Sequence, residues 1–315
     1  MVVLTVLSGL VCTASQLANA QGVVTSRKNP NQIAILHWYA ANLTTTFAVG
    51  ANPNAIAFDG ESMWVVNAND STVTKLRTSD GTVLGTFSSP GAGYGVAFDG
   101  ANIWVTNYGA FTVSMLRARD GSSLGTFNVG QNPEGVAFDG ASVWVANYGT
   151  NTLTKLRASD GTVLGTFTVG NGPFGVASDG SNIWAANYRD NTVSKVRASD
   201  GAVLGTFAVG TGPIGVAYDG VHIWVANNSS NTVTKLRASD GALRGTFSVG
   251  TGPVGVAYDG AHIWVANSTS NTVTELRTCD GAVEETFNTV NPAFVAFDGA
   301  SIWVANGGSN TVTKF

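Results

Sequence analysis

The sequence predicts an all-β protein, a seven-bladed β-propeller of four-stranded antiparallel blades whose last blade is closed by an N-terminal strand. Three observations carry this. Tryptophan recurs at Trp64, Trp104, Trp144, Trp184, Trp224, Trp264 and Trp303, six times 40 residues on or, at the last step, 39. A period near 40 with strand chemistry inside it marks a radially repeated unit. Each unit carries two Asp-Gly or closely similar turns between runs rich in β-branched and aromatic residues, the composition of hairpins. Neither a 3.6-residue period nor helix caps occur in it.

One unit stands for all. Gly135 to Phe138 is a short strand and Asp139-Gly140 turns the chain; Val143 to Asn147 is the second strand. Tyr148 to Asn151 is a loop, Thr152 to Ala158 the third strand, Asp160-Gly161 a second tight turn, and Val163 to Val169 the fourth strand. Gly supplies the positive φ of such turns. First strands occur seven times. The fourth-strand Phe also occurs seven times, at 47, 87, 127, 167, 207, 247 and 287, yet Phe47 precedes the first Trp and the chain stops at Phe315 in a third strand. Leu43 to Gly50 is therefore expected to complete the last blade and remove an exposed edge.

Outside the repeat, residues 1–20 (MVVLTVLSGLVCTASQLANA) form an apolar run ending in Ala18-Asn19-Ala20. This reads as a signal peptide, despite the lack of an early Lys or Arg, and is too short for a convincing bilayer span. Export to the periplasm, cell surface or medium follows as an expectation, with no stable membrane insertion after cleavage. Cys12 would leave with the leader and Cys279, in a Ser-Asp-Gly turn, would remain alone, so no intrachain disulfide is expected. Residues 21–42 read as an N-terminal arm with Trp38 as its anchor, and residues 43–315 as the propeller, a monomer. A net charge of −4 with 11% charged residues gives no support to nucleic-acid binding.

The unit P-x-G-V-A-F-D-G, I-W-V-A-N-Y, N-T-V-T-K-L-R, D-G-x-V-L-G-T-F-x-V-G resembles the YVTN-type repeats of exported bacterial propellers, over roughly residues 43–315. It is more distantly similar to NHL and streptogramin lyase propellers. Such propellers act as enzymes, surface proteins or binding platforms, so the resemblance implies fold more than function. Streptogramin-type lyases carry a Glu in the strand where this chain has Asn, and a His after the Pro of some units; this chain has neither. Lactonase chemistry would need channel carboxylates, for which Glu134 is the single candidate.

Most chemistry-bearing residues have a structural reading. The first-hairpin Asp59, Asp99, Asp139, Asp179, Asp219, Asp259 and Asp298 and the second-hairpin Asp80, Asp120, Asp160, Asp200, Asp240 and Asp280 are turn residues. Third-strand cations such as Lys75, Lys155, Arg157 and Arg197 read as solvated residues with local ion pairs rather than a ladder for an anionic polymer. The G-x-G-x-x-G at 170–175 and the G-x-S-x-G at 121–125 lack the helix that each chemistry needs. His222 and His262 precede Ile-Trp in adjacent units, with no Cys or carboxylate in view to complete a metal site. The ring of Asn67, Asn107, Asn147, Asn187, Asn227, Asn267 and Asn306 reads as buried amides tying neighbouring blades.

Divergence among the copies marks the candidate site. The middle residue of Pro-x-Gly runs Asn54, Tyr94, Glu134, Phe174, Ile214, Val254, Ala293, and the loop after the Asn ring carries Tyr108, Phe111, Tyr148, Tyr188 and the pair Arg189-Asp190. Loops between strands four and one and between strands two and three share a propeller face. Tyr94, Tyr108, Glu134, Tyr148, Phe174, Tyr188 and Arg189 are the expected binding residues, suited to a small molecule, glycan, peptide or protein partner. A non-catalytic binding platform is the leading function, with a lyase or lactonase acting on a small cyclic ester as the alternative and a surface or nucleic-acid-binding propeller as a third. No cofactor is expected; a divalent metal in the channel would have only Glu134 to hold it.

Overall fold

Tryptophan needs burial for its rings and a partner for its indole N–H, and the repeat supplies both. The computed structural model describes residues 45–315 as seven four-stranded antiparallel sheets. The expected leader, the arm and residues 43–44 lie outside these. In blade 1 the strands are β2 (Pro53–Phe58), β3 (Ser62–Asn67), β4 (Thr72–Arg77) and β5 (Val83–Ser88), preceded by β1 (Thr46–Ala48). Blade 7 takes β1 as its outer strand, with Thr46 opposite Thr313 and Ala48 opposite Thr311. The expected closure is present. Among the described residues no helix is long and apolar enough to cross a membrane.

Each first-hairpin Asp does more than turn the chain. Asp59 Oδ1 accepts from the amides of Glu61 and Ser62, while Oδ2 accepts from Trp64 Nε1 at 2.7 Å. All seven Asp–Trp pairs repeat that indole bond at 2.7–2.8 Å. The Trp rings are packed between neighbouring blades. Trp64 shares a cluster with Ile103, Val105 and Leu116 of blade 2, and Trp303 with Ile56, Met63 and Leu76 of blade 1. The core is therefore seven interfaces rather than one interior.

The fourth-strand Phe completes each interface. Phe87 lies 5.5 Å from Trp64 of its own blade, and its ring occupies the space a Cβ at Gly121 of the next blade would need, 2.1 Å away. Gly121 also has φ +72°, so two constraints demand glycine there. The second hairpin is longer than the expected two-residue turn. Arg77 N donates to Thr82 O and Gly81 N donates back to Arg77 O, enclosing a four-residue loop with a register shift behind it.

The third-strand cations divide into two sets, correcting their reading as uniformly solvated. Arg77, Arg157 and Arg197 are half-exposed and pair with Asp80, Asp160 and Asp200, so the local ion pairs are present. The Lys residues are not solvated: Lys75, Lys195 and Lys235 are buried. Lys75 Nζ lies 5.1 Å from the Trp64 ring centroid and donates to Ala118 O of blade 2 at 2.7 Å. Lys155, Lys195, Lys235 and Lys314 repeat both contacts. The stem covers the indole and the ammonium ties the next blade.

The reading of the Asn ring is corrected in part. Asn67 Nδ2 donates to Thr72 and Thr74 of its own blade, so the ring joins strands two and three within a blade. In three copies it also ties blades, the Oδ1 atoms of Asn107, Asn147 and Asn306 accepting from Ser89, Gly130 and Thr289 in the linker from the preceding blade. The tie between blades is carried mainly by the other repeated Asn. Asn151, Asn191 and Asn231 adopt positive φ, which Asn tolerates, and their Oδ1 atoms accept from Gly172, Gly212 and Gly252 N in the linkers to the next blade. The expectation of no disulfide is also corrected. Cys279 is disulfide-bonded and no described cysteine is free.

Blade 6 breaks the Lys pattern. Glu275 stands in the Lys position, opposite Glu285 across the sheet, and Trp264 is 8% exposed where the other six described Trp are 0%. Two predictions follow from these packing rules. Deleting residues 43–50 should abolish cooperative unfolding or cause aggregation in calorimetry and light scattering, since blade 7 loses its outer strand. Glu275→Lys should raise Tm by roughly 2–4 °C, about 1 kcal/mol, by covering Trp264 and relieving the cross-strand repulsion. A lower Tm would mean that Glu275 stabilises blade 6 through its other contacts.

Candidate functional site

First strands line the central channel, because each blade begins at the axis and ends at the rim. Pro-x-Gly residues open these strands, so the divergent position falls where seven strands converge. A cavity of about 150 Å³ lies there, lined by Tyr94, Glu134, Phe174, Phe294 and by glycine and valine of the first strands. Of the seven expected binding residues, Tyr94, Glu134 and Phe174 line it directly.

Glu134 is 4% exposed and its Oε2 has no hydrogen-bond partner. Burial of the carboxylate with nothing to compensate pushes its pKa up to about 8. Its neighbour Tyr94 is also raised, first by burial and then by the charge of Glu134. The backbone beneath Glu134 is fixed by Thr106, whose hydroxyl donates to Glu134 O at 2.6 Å and accepts from Gly95 N at 2.8 Å. A Cβ at Gly95 would lie 2.4 Å from Glu134 O, so these two first strands approach as closely as glycine permits.

The remaining residues flank this centre as two aromatic groups. On one side Tyr94 and Tyr108 have ring centroids 5.0 Å apart, and Asn132 Nδ2 donates to the Tyr108 hydroxyl. On the other, Tyr148, Phe174 and Tyr188 are mutually in contact at 6.1–6.5 Å. Arg189 lays its guanidinium over Tyr148, 4.5 Å from the centroid, and Nε donates to the Tyr148 hydroxyl. Arg189 is exposed at the rim and serves to hold Tyr148. Phe111 is exposed with φ +57°, a left-handed conformation rare for a bulky side chain, in the slot that Asn151 and Asn191 fill elsewhere.

Two site residues were missed from sequence, although the repeat signals both. Thr106 stands where Ala146, Ala186, Ala226, Ala266 and Ala305 stand in other copies, and Phe294 replaces the Gly of Pro-x-Gly.

Metal-ligating geometry occurs elsewhere, in blade 6. His262 Nδ1 lies 3.2 Å from Glu275 and 3.4 Å from Asp259, and Nε2 lies 3.1 Å from Glu284. Asp259, His262 and Glu275 offer ligand atoms within 4.8 Å of one another, a set that can hold a divalent ion. Carboxylates therefore do surround His262, contrary to the sequence reading, because the second and third strands bring distant positions side by side. None of the three lines the channel cavity. His222 instead faces its own turn Asp219 at 3.2 Å.

The buried carboxyl sets a stability test. Its folded pKa of about 8 exceeds the ordinary 4.5. Between these values the folded state holds a proton that the unfolded chain has released, so this group lowers stability as pH rises through that window. Glu134→Gln should match the parent in denaturant unfolding at pH 4 and exceed it at pH 9 by on the order of 2–4 kcal/mol. Equal stability at both pH values would place the carboxyl in contact with water or a partner.

No family model matches the chain, and no curated protein is similar to it in sequence. Solved structures are similar in fold. Hydrazine synthase from Kuenenia stuttgartiensis aligns with TM-score 0.73 and 19% identity over 84% of this chain and 95% of the other. A streptogramin B lyase aligns with TM-score 0.73 and 19% identity over 85% and 95%. Virginiamycin B lyase from Staphylococcus aureus gives 0.73 and 18% over 84% and 94%. At these identities the likeness shows the fold, a seven-bladed propeller shared with lyases and with proteins of other activity.

Proposed function

We propose that the chain is an exported, non-catalytic propeller that binds a small molecule, glycan or peptide through the mouth of its central channel. The observation that carries this reading is the convergence of Tyr94, Tyr108, Tyr148, Phe174 and Tyr188 around a single buried carboxyl. The rest of the repeat is consumed by structure: the hairpin Asp residues hold Trp or Arg, and the third-strand Lys residues hold neighbouring blades. Glu134 and the aromatic residues around it are not used in this way. Flat rings there supply contact area at small entropic cost. The leader-like residues 1–20 and the resemblance to exported repeats support the location.

A second reading, catalysis, is favoured by one specific feature. A carboxyl that holds its proton at neutral pH is suited to general acid work on an ester or lactone. Against it, no His, Lys or Arg lines the cavity to serve as its counterpart. Turnover of macrocyclic and simple lactones that disappears in Glu134→Gln would favour catalysis over binding.

The binding reading is tested with a matched pair of variants. A panel of aryl glycosides, short aromatic peptides and amphiphilic amines is screened by ligand-observed NMR at one salt concentration. Tyr148→Ala should weaken any hit by roughly 1–3 kcal/mol, and Arg157→Ala, on the outer hairpin, should leave it nearly unchanged. A hit that depends on Arg157 and falls steeply with salt would move the site to the outer cations.

A further inference from the structure

The channel cavity has one polar demand that nothing in the protein meets. Among its lining residues the polar side-chain groups are the Glu134 carboxyl and the Tyr94 phenol, and none is Lys, Arg or His. Glu134 Oε2 is buried without a partner. In the seven copies this slot is otherwise Asn, Tyr, Phe, Ile, Val or Ala, so the repeat fold does not require a charge there. Thr106, which replaces the Ala of five other copies, fixes the Glu134 backbone by a 2.6 Å hydrogen bond. The carboxyl is thus held in position, desolvated and uncompensated, in a cavity walled by Tyr94, Phe174 and Phe294.

We infer that this cavity takes a small organic cation, an ammonium or methylated ammonium headgroup, with Glu134 as its counter-ion and the surrounding rings as its walls. This rests on the binding reading above and names the ligand class of that site.

Chemistry decides between cations. Calcium and magnesium require six or more oxygen ligands or a shell of retained water, zinc requires three or four N, S or O ligands, and the cavity offers one carboxylate among apolar walls. An organic cation satisfies both parts at once: its charge pairs with the carboxylate, and its methylene or methyl groups lie against ring faces. A volume of about 150 Å³ accommodates a headgroup of a few heavy atoms. The same face already shows this contact within the molecule, where the Arg189 guanidinium lies over Tyr148. Arg189 itself is exposed at the rim, and burial is the single cause raising Glu134.

Proton exchange follows from the geometry. The empty carboxyl holds a proton at neutral pH, and an arriving cation displaces it. The groups facing this exchange are Tyr94, raised first by burial and then by Glu134, and beside it Tyr108. Below pH 8 each unit of acidity should therefore weaken binding by up to tenfold.

The test uses the full chain and four probes: choline, n-butylamine, 3,3-dimethyl-1-butanol as the neutral isostere of choline, and magnesium or calcium chloride. Calorimetry is run at pH 6.5, 7.5 and 8.5 in two buffers of different ionisation enthalpy. Choline or butylamine should bind, tighten with pH, and release close to one proton at pH 6.5, and the neutral isostere should bind at least 30-fold more weakly. Glu134→Gln should lose cation binding and proton release while staying folded, with an unfolding temperature at pH 7 above that of the parent because the destabilising buried carboxyl is gone. Thr106→Ala should weaken binding several-fold with the proton count unchanged. Equal binding of the neutral isostere, retained choline binding in Glu134→Gln, or binding of the metal alone would overturn the inference. A neutral ligand that is lost in Tyr148→Ala but indifferent to Glu134→Gln would keep the binding platform and overturn the cation class. No binding of any probe would overturn the cation class as well.

Discussion

The indole–carboxylate bond between each first-hairpin Asp and its Trp is the constraint on which the rest of the molecule depends. A large ring can lie between two blades only if its N–H is satisfied, because an unpaired buried donor costs about 1–3 kcal/mol. Asp at that turn gives one oxygen to two backbone amides and the other to the indole, so turn and interface form together. The Phe of the fourth strand then packs on that ring, the Gly of the next hairpin lies against the Phe, and in five blades a Lys covers the indole. Seven such interfaces share the load, and the strand pairing between β1 and the chain's last strand makes the seventh equivalent to the others.

Saturation of the scaffold is what makes the site visible. Charges that look available in sequence are committed: the buried Lys residues hold carbonyls of neighbouring blades, and the half-exposed Arg residues hold hairpin Asp. Glu134 is committed to nothing. A repeat protein whose copies solve the folding problem identically can afford one residue that opposes folding, and the cavity containing Glu134 is where such a residue is found. Blade 6 illustrates the contrasting case. Its acidic residues gather round His262, which supplies the partner that Glu134 lacks.

Much of this is legible in the sequence. The 40-residue Trp period, the Asp-Gly turns and the displaced fourth-strand Phe sufficed for the blade count, the strand order and the closure. Divergence at the Pro-x-Gly slot located Tyr94, Glu134 and Phe174, since a position where near-identical copies differ is one that packing leaves open. The same logic applied one residue further would have found Phe294, and applied to the second strand, Thr106. Reading Lys75 and its equivalents as solvated failed for a different reason. Alternation along a strand gives the side on which a residue lies, but not whether a neighbouring blade covers that side.

The sequence by itself determined the repeat, the hairpins and the ring closure, because these depend on local turn chemistry and on counting strands. Tertiary structure alone decided which polar groups are satisfied. Whether Asp59 bonds an indole, whether Lys75 reaches a carbonyl 43 residues away, and whether Glu134 has a partner are questions of distance between blades. No local pattern encodes those distances; they are set when seven sheets pack round one axis.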